Sequence, residues 1–411
     1  MSTVAPPLPP TATHPATRSQ LSWLGTQLSA WQAEGLLDPD QAERISGRYH
    51  ADHRFPLARL LLTIGAVFVG IGLIWLVAAN IAELAPATRF IAVSVIWLAL
   101  LAGGEVLFVR RGPADPDSSA SPLVGAVRLM AAIAFGAVVF QAAQSLQVTA
   151  YEPTLIGCWA LGALLHAYAV RAVMPLVVAI LAGTTWFGWE VLPYSESGLS
   201  VVLCLVTVGV LAVAAAAAHS RWAPELAGPW REMGAVFVLV GLFVSALPFV
   251  DDSGFIWTTT LAVALAVAGV VAAVGLSAPG ETRFEVLGAV AAAVAAVALV
   301  LWEAGDDDTV AGVDLAHAAV SVVVYVLVAV GVAVVGALRE SWRLTALATV
   351  ALAVFTTVQS FSVFARILEG AWLFVTLGLV FLGTGYAFDR ARRRLVAAVT
   401  DGEPVTDGAD R

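Results

Sequence analysis

Apolar runs of membrane-spanning length, separated by short polar segments, dominate the chain from residue 57 onwards. About 20 helical residues, each rising 1.5 Å, cross a hydrocarbon core of ~30 Å. Residues 57–80 form the first run of this length. Later runs cover residues 88–109, 123–146, 154–170, 173–192, 199–218, 233–250, 255–276, 284–302, 315–338, 344–364 and 371–388. The pattern predicts an all-α fold, a polytopic transmembrane helical bundle of about 12 spans.

A more polar region precedes these runs and begins with a predicted amphipathic helix over residues 20–34. Its apolar side chains recur at spacings of three or four residues, which places them on one face of a helix. These side chains are Leu21, Leu24, Leu28 and Trp31. Gly35 suits the left-handed backbone that often follows a last helical turn, so we expect the helix to end there.

A second short helix is predicted to start at a capping sequence. Asp38 is a typical N-cap residue, with Pro39 at the first helical position and Gln41 at the third. Ala42, Ile45 and Tyr49 continue along one face of this helix. The two helices predict a short N-terminal helical hairpin in front of the membrane.

These patterns divide the chain into four predicted segments. Residues 1–18 are rich in Pro and Thr and carry too little apolar surface to order, so we expect a disordered tail. Residues 19–56 form the cytoplasmic hairpin and residues 57–389 the transmembrane helical domain. Residues 390–411 form a cytoplasmic basic flank and tail.

Composition and charge placement favour membrane insertion and predict an orientation. The chain is 60% hydrophobic and only 12% charged, whereas about 25% of residues are charged in typical soluble domains. The lipid bilayer is therefore the first predicted partner. Arginines concentrate in alternate loops, as expected when positive residues stay on the cytoplasmic side. With an even number of spans, this sorting places both termini in the cytoplasm.

Two ionisable side chains are predicted to lie within the bilayer, where charge is costly and often functional. Glu105 lies about one turn inside the cytoplasmic end of its span, and Arg128 lies about one turn inside the start of the next span. Three interpretations are open: a structural ion pair, a polar pocket built on that pair, or two side chains that reach the interface independently.

Three amides complete the candidate polar residues. Gln141 and Gln144 are three residues apart on one face of the third predicted span, near its outer end. Amides in lipid seek partners on neighbouring helices, so contacts between helices are favoured over ligand binding. Asn80 lies at the outer end of the first span and is interpreted as a cap or an interfacial residue.

Common signatures of catalysis and cofactor binding do not occur in the sequence. There is no G-x-x-x-x-G-K-[ST] loop, no H-E-x-x-H and no C-x-x-C. Cys158 and Cys204 both fall inside apolar runs, where thiols behave as small hydrophobic groups. His166 and His317 are single histidines and are interpreted as structural. We therefore predict no catalytic residue, no metal, no cofactor and no nucleic-acid partner.

The junction between the predicted hairpin and the first span carries recognisable motifs, and the third span adds another. They are Trp31-x-x-Glu34-Gly35-Leu36-Leu37, Gln41-Ala42, Ile64-Gly65-Ala66 through Gly70-x-Gly72, Ala78-Ala79-Asn80, and Phe135-Gly136-Ala137 through Gln144. This set resembles the prokaryotic membrane-protein family known as domain of unknown function 2157, over roughly residues 20–190. The resemblance implies a multi-pass protein of a prokaryotic cytoplasmic (inner) membrane and brings no established activity.

Three functions remain open from the sequence, which assigns no oligomeric state. The favoured one is a non-enzymatic sensory, scaffolding or accessory protein whose hairpin docks a cytoplasmic protein through Trp31, Glu34 and Tyr49. The alternative is a transporter or flippase for a neutral or lipidic substrate, in keeping with about 12 helices. An enzyme is least favoured, because the bilayer contains only Glu105 and Arg128 as candidate groups.

Overall fold

The structure is a computed structural model that describes most of the chain between residues 14 and 364. The described residues are 14–16, 18–51, 61–72, 85–110, 122–146, 152–247, 249–277, 280, 282–302, 312–364, 378–379, 382–383, 385–386 and 390. Asn80 and most of the predicted last span lie outside them. The chain divides into two compact units, Met1–Gly65 and Ala66–Arg411.

Up to residue 51, the described part of the first unit contains two helices and two very short strands. In chain order these are β1 (His14–Ala16), α1 (Arg18–Ala33), α2 (Pro39–Ser46) and β2 (Tyr49–Ala51). The strands pair in parallel, with His14 opposite Tyr49. We did not predict these strands, and Tyr49 had been expected on the second helix. That helix ends at Ser46 because the next residue, Gly47, is a poor helix former.

The turn between α1 and α2 forms as the sequence predicted. Gly35 adopts a left-handed φ of 73°, and the N–H of Leu36 donates to the carbonyl of Trp31 at 2.9 Å. Asp38 caps α2, since its carboxylate accepts from the Asp40 N–H at 2.9 Å and its own N–H donates to Gln41 at 3.1 Å. Both helices are present, and their packing as a hairpin stays a prediction.

The remaining helices are long and mostly apolar. They are α3 (Leu61–Gly72), α4 (Pro86–Arg110), α5 (Pro122–Ser145), α6 (Glu152–Ala169), α7 (Val173–Val191), α8 (Gly198–His219), α9 (Pro224–Ser245), α10 (Thr259–Leu276), α11 (Thr282–Val300), α12 (Gly312–Leu338) and α13 (Trp342–Phe364). Within the described residues, nine of these helices are long and apolar enough to cross a membrane, namely α4, α5 and α7 to α13. The predicted total of about 12 spans stays a prediction.

Helices α8 and α9 approach each other closely at two glycines. A Cβ atom added to Gly209 would lie 2.7 Å from Val238 Cγ2, and one added to Gly234 would lie 2.9 Å from the backbone nitrogen of Val213. Small residues permit such close backbone approach between membrane helices. This crossing belongs to the largest buried apolar cluster, to which α7 to α13 contribute.

Several helix ends that carry arginine meet at one end of the bundle. Arg171, in the turn after α6, pairs with Glu225 at the start of α9 at 3.3 Å. At the start of α13, Arg343 pairs with Glu232 on α9, also at 3.3 Å. We call this end, with Arg171, Arg231, Arg339 and Arg343, the arginine face. Its composition agrees with the predicted charge sorting, and its cytoplasmic location remains a prediction.

Candidate functional site

Glu105 on α4 and Arg128 on α5 form a bidentate ion pair. Arg128 Nε donates to Glu105 Oε1 at 2.8 Å, and Nη2 donates to Oε2 at 2.7 Å. The Arg128 side chain is only 6% exposed, and its guanidinium lies 4.8 Å from the ring centroid of Phe108. Of the three interpretations left open by the sequence, the structure supports the ion pair.

A histidine on α6 lies near this pair. His166 is within electrostatic range of both Glu105 and Arg128. Its Nε2 atom is buried and has no hydrogen-bond partner among the described residues. Side chains from α4, α5 and α6 therefore lie near one another close to one end of the bundle. From the sequence, His166 was interpreted as a single structural histidine. Helical spacing relates residues on the same helix, so it could not show that His166 lies near Glu105 and Arg128 on two other helices.

Gln141 and Gln144 do not join this cluster. Gln141 Nε2 donates to Ser145 Oγ at 3.1 Å, and Ser145 Oγ donates to the Pro86 carbonyl at 2.8 Å, which links α5 to the start of α4. Gln144 is exposed. Since 13 helical residues separate Arg128 from Gln141, the two lie about 20 Å apart along α5. The five candidate polar residues therefore do not form one site.

A second polar network at the arginine face was not predicted. His219 Nδ1 donates to the Ala215 carbonyl at 2.6 Å, so its Nε2 accepts from the Tyr168 hydroxyl at 2.6 Å. Trp230 Nε1 also donates to the Tyr168 oxygen, at 3.2 Å. Each ring is satisfied by its neighbours, so this network stabilises the packing of α6, α8 and α9.

An apolar cavity with a volume of about 410 Å³ lies between α9, α11 and α12. Its wall consists mainly of small aliphatic side chains, and α8 and α13 each contribute one residue. Phe284 and Leu327 line the cavity and are exposed, so it opens sideways between α11 and α12. A cavity of this size lies within the ~300–1,000 Å³ range of small-molecule sites.

Two glycines line the cavity and add no side chains that would narrow it. Gly288 on α11 and Gly331 on α12 both line it, and a Cβ atom added to either would meet nothing within 4 Å. Along α12 the lining runs from Val324 to Val335, a rise of about 16 Å. That length matches about half of a ~30 Å hydrocarbon core, which is the depth of one leaflet.

A three-residue charge cluster closes the end of the cavity at the arginine face. Arg231 Nε on α9 donates to Glu285 Oε2 on α11 at 2.5 Å. Arg339, which follows α12, donates to Glu285 Oε1 through Nε at 2.9 Å and through Nη2 at 2.7 Å. The Glu285 side chain is only 6% exposed. Arg231 and Glu285 also line the cavity, so its wall is apolar except at this end.

Hydropathy alone does not reveal this cluster, because Arg231 lies before the predicted span of residues 233–250. The apolar run begins only at Met233, but the helix begins nine residues earlier, at Pro224. Pro224 at the first helical position, followed by Glu225 in the first turn, is a helix-start signal that could have shown this. Arg231 consequently lies two turns inside α9.

The outer surface of the bundle defines the class of protein. On α10, Val263, Val267, Val270 and Val274 form an exposed apolar stripe at helical spacing. Continuous apolar surface of this kind is stable in lipid and not in water. With nine helices of spanning length in the described part of the chain, the fold is that of a multi-pass α-helical membrane protein.

Residues 29–176 match the family described as "Predicted membrane protein (DUF2157)", which confirms the resemblance seen in the sequence. The matched segment contains the Glu105–Arg128 pair and the docking candidates Trp31, Glu34 and Tyr49. The α9–α11–α12 cavity lies beyond it. No curated protein and no solved structure matches the chain.

Proposed function

We propose that this protein is a non-enzymatic membrane protein that binds a lipid-like amphipathic molecule in the cavity between α9, α11 and α12. The observation that carries the proposal is the shape and lining of the cavity, which is apolar along one leaflet depth and charged only at the arginine face. A hydrocarbon chain is the chemistry that fits such a wall. The sideways opening gives a membrane lipid a direct route in.

Lipid uptake by the purified protein tests the proposal. Native mass spectrometry counts the phospholipids that remain bound to the full chain in detergent. The variant Gly288→Leu/Gly331→Leu adds two bulky side chains to the cavity wall at positions where the Cβ atom itself meets nothing within 4 Å, so it should lose at least one bound lipid relative to the wild type. The matched control is Gly269→Leu on α10, an exposed glycine outside the cavity with nothing within 4 Å. Equal lipid binding by all three proteins would refute the proposal.

A transport assay separates a transporter from a sensor. If the protein is a transporter or flippase for a lipidic substrate, proteoliposomes should move a fluorescent phospholipid between leaflets, and Gly288→Leu/Gly331→Leu should abolish the movement. Lipid binding without movement would instead favour the sensory or accessory role. Both roles use the same cavity, so the binding experiment comes first.

A second candidate function concerns the first unit, which we propose docks a cytoplasmic protein partner. Trp23, Leu36 and Tyr49 are exposed there, and exposed large apolar side chains are frequent in protein interfaces. In the same unit, Trp31 is half-buried and Glu34 is exposed. A pull-down with the full chain should recover a partner that Tyr49→Ala and Trp23→Ala weaken. Recovery of the same proteins by wild type and variants would reject this role.

A further inference from the structure

We propose that the cavity selects a lipid with an anionic phosphate headgroup, which Arg231 and Arg339 bind while Glu285 holds both guanidiniums in place. This inference rests on the proposed lipid-binding function and adds the chemistry of the headgroup. Its basis is the charge balance and the unused hydrogen-bond donors at the polar end of the cavity.

The charge cluster carries an excess positive charge. One carboxylate, that of Glu285, accepts from two arginines. Arg231 is largely buried and Arg339 is partly exposed, with exposed fractions of 11% and 31%. Arg343 adds no net charge, since it pairs with Glu232. Glu340 follows Arg339 but is exposed, so water and salt screen it. A buried excess charge is costly, and a bound anion removes that cost.

Arg231 also has donors without acceptors. Its guanidinium has five N–H groups, and among the described residues it uses only the one on Nε, toward Glu285. The terminal nitrogens are therefore available to a ligand in the cavity that Arg231 lines. Unmatched donors in an apolar site favour a ligand group rich in acceptor oxygens.

Phosphate fits these donors better than a neutral ester or hydroxyl. Guanidiniums bind phosphate oxygens in bidentate, charge-assisted pairs, and a phosphodiester carries one negative charge, which balances the cluster. Arg339 still has N–H groups beyond the two it donates to Glu285, so one tetrahedral phosphate can contact both arginines. The position of the charge cluster also fits a phospholipid. The cluster lies at the polar end of the cavity, and the phosphate lies at the polar end of the acyl chains.

Arg283 strengthens the attraction at the rim of the cavity. Its guanidinium lies 4.8 Å from the ring centroid of Phe284, which lines the cavity. Basic groups between membrane helices on the cytoplasmic side commonly recognise anionic lipid headgroups. The predicted orientation places the arginine face on that side.

The test compares lipids that share acyl chains but differ in the headgroup. Native mass spectrometry of the wild type is run with phosphatidylglycerol, diacylglycerol and a free fatty acid. We expect phosphatidylglycerol to bind at least tenfold more tightly than diacylglycerol. Arg339→Gln should remove most of this difference, and thermal unfolding in detergent checks that the variant is folded. Arg343→Gln, outside the cluster, should retain the wild-type preference.

The outcomes separate the two proposals. Equal binding of phosphatidylglycerol and diacylglycerol, both lost in Gly288→Leu/Gly331→Leu, would overturn the phosphate assignment and leave the lipid-binding function standing. Fatty acid binding as tight as that of phosphatidylglycerol would overturn it in favour of a carboxylate ligand. Displacement of phosphatidylglycerol by millimolar inorganic phosphate would overturn the lipid assignment in favour of a free phosphate anion. Binding of none of the lipids above the level of the filled variant would refute the proposed function itself.

Discussion

Arg231 and Glu285 are 54 residues apart in sequence and form an ion pair of 2.5 Å between α9 and α11. Arg339 shares the same carboxylate, so one acidic side chain joins three segments of the chain. Buried ion pairs stabilise a fold mainly because the loss of one partner leaves an uncompensated charge. Glu285 therefore positions the guanidinium groups of Arg231 and Arg339 at the polar end of the cavity.

The first prediction concerns the loss of this carboxylate. Glu285→Gln leaves the buried guanidinium of Arg231 and the partly exposed one of Arg339 without a counter-ion, so we expect the unfolding free energy to fall by roughly 3 kcal/mol. Thermal unfolding in detergent measures the change. Glu225→Gln is the control, because Glu225 pairs with the exposed Arg171 and such pairs contribute about 0–1 kcal/mol. Similar losses in the two variants would contradict the buried role of Glu285.

The second prediction is an asymmetry within the Glu105–Arg128 pair. Arg128 is 6% exposed and Glu105 is 36% exposed, so the protein encloses the arginine more completely than the glutamate. Glu105→Gln should therefore destabilise the protein more than Arg128→Met. The double variant Glu105→Leu/Arg128→Met should be more stable than Glu105→Gln, since no buried charge remains. The opposite order in thermal unfolding would show that Glu105 is the more buried partner.

The third prediction addresses the crossing of α8 and α9. Gly234→Ala places a Cβ atom 2.9 Å from the Val213 nitrogen and 3.0 Å from the Gly209 carbonyl oxygen. The helices must separate, at a cost of about 1–3 kcal/mol. Gly269→Ala meets nothing within 4 Å and should leave stability unchanged or raise it slightly. A neutral Gly234→Ala variant in the same unfolding assay would contradict the close approach.

The fourth prediction tests the orientation. In a background with both Cys158 and Cys204 replaced by Ala, we introduce Ser253→Cys in the α9–α10 loop or Arg221→Cys in the α8–α9 turn. Both positions are exposed. A membrane-impermeant maleimide added to intact cells should label residue 253 at once and residue 221 only after permeabilisation. The reverse pattern would place the arginine face outside and move the cavity to the outer leaflet.

Much of the helix layout could be predicted from hydropathy alone, for a clear physical reason. A lipid-facing helix must be apolar over its whole length, so the sequence itself marks runs such as the one that became α10 (Thr259–Leu276). Capping chemistry is equally local, and the α2 start at Asp38 was predicted correctly. The strand at Tyr49 was missed because its partner lies more than 30 residues away in sequence.

The candidate site was less predictable, because its residues come together only through helix packing. Glu105 and Arg128 were recognisable as charges inside apolar runs. Arg231 and Glu285 lie near helix starts, where a sequence cannot separate a solvated residue from a buried one. The cavity depends on the absence of side chains at Gly288 and Gly331, and glycine in a membrane helix indicates close packing as often as open space.

The most direct test of the central claim is to locate the bound acyl chain. The full chain is reconstituted into vesicles that contain a phospholipid with a photoactivatable acyl chain. After irradiation, peptide sequencing identifies the residues that carry the label. We predict labelling of Val328 on the cavity wall, lost in Gly288→Leu/Gly331→Leu, together with general labelling of lipid-facing residues such as the exposed Val294. Labelling confined to outward-facing residues such as Val294, and unchanged in the filled variant, would contradict lipid binding in the cavity.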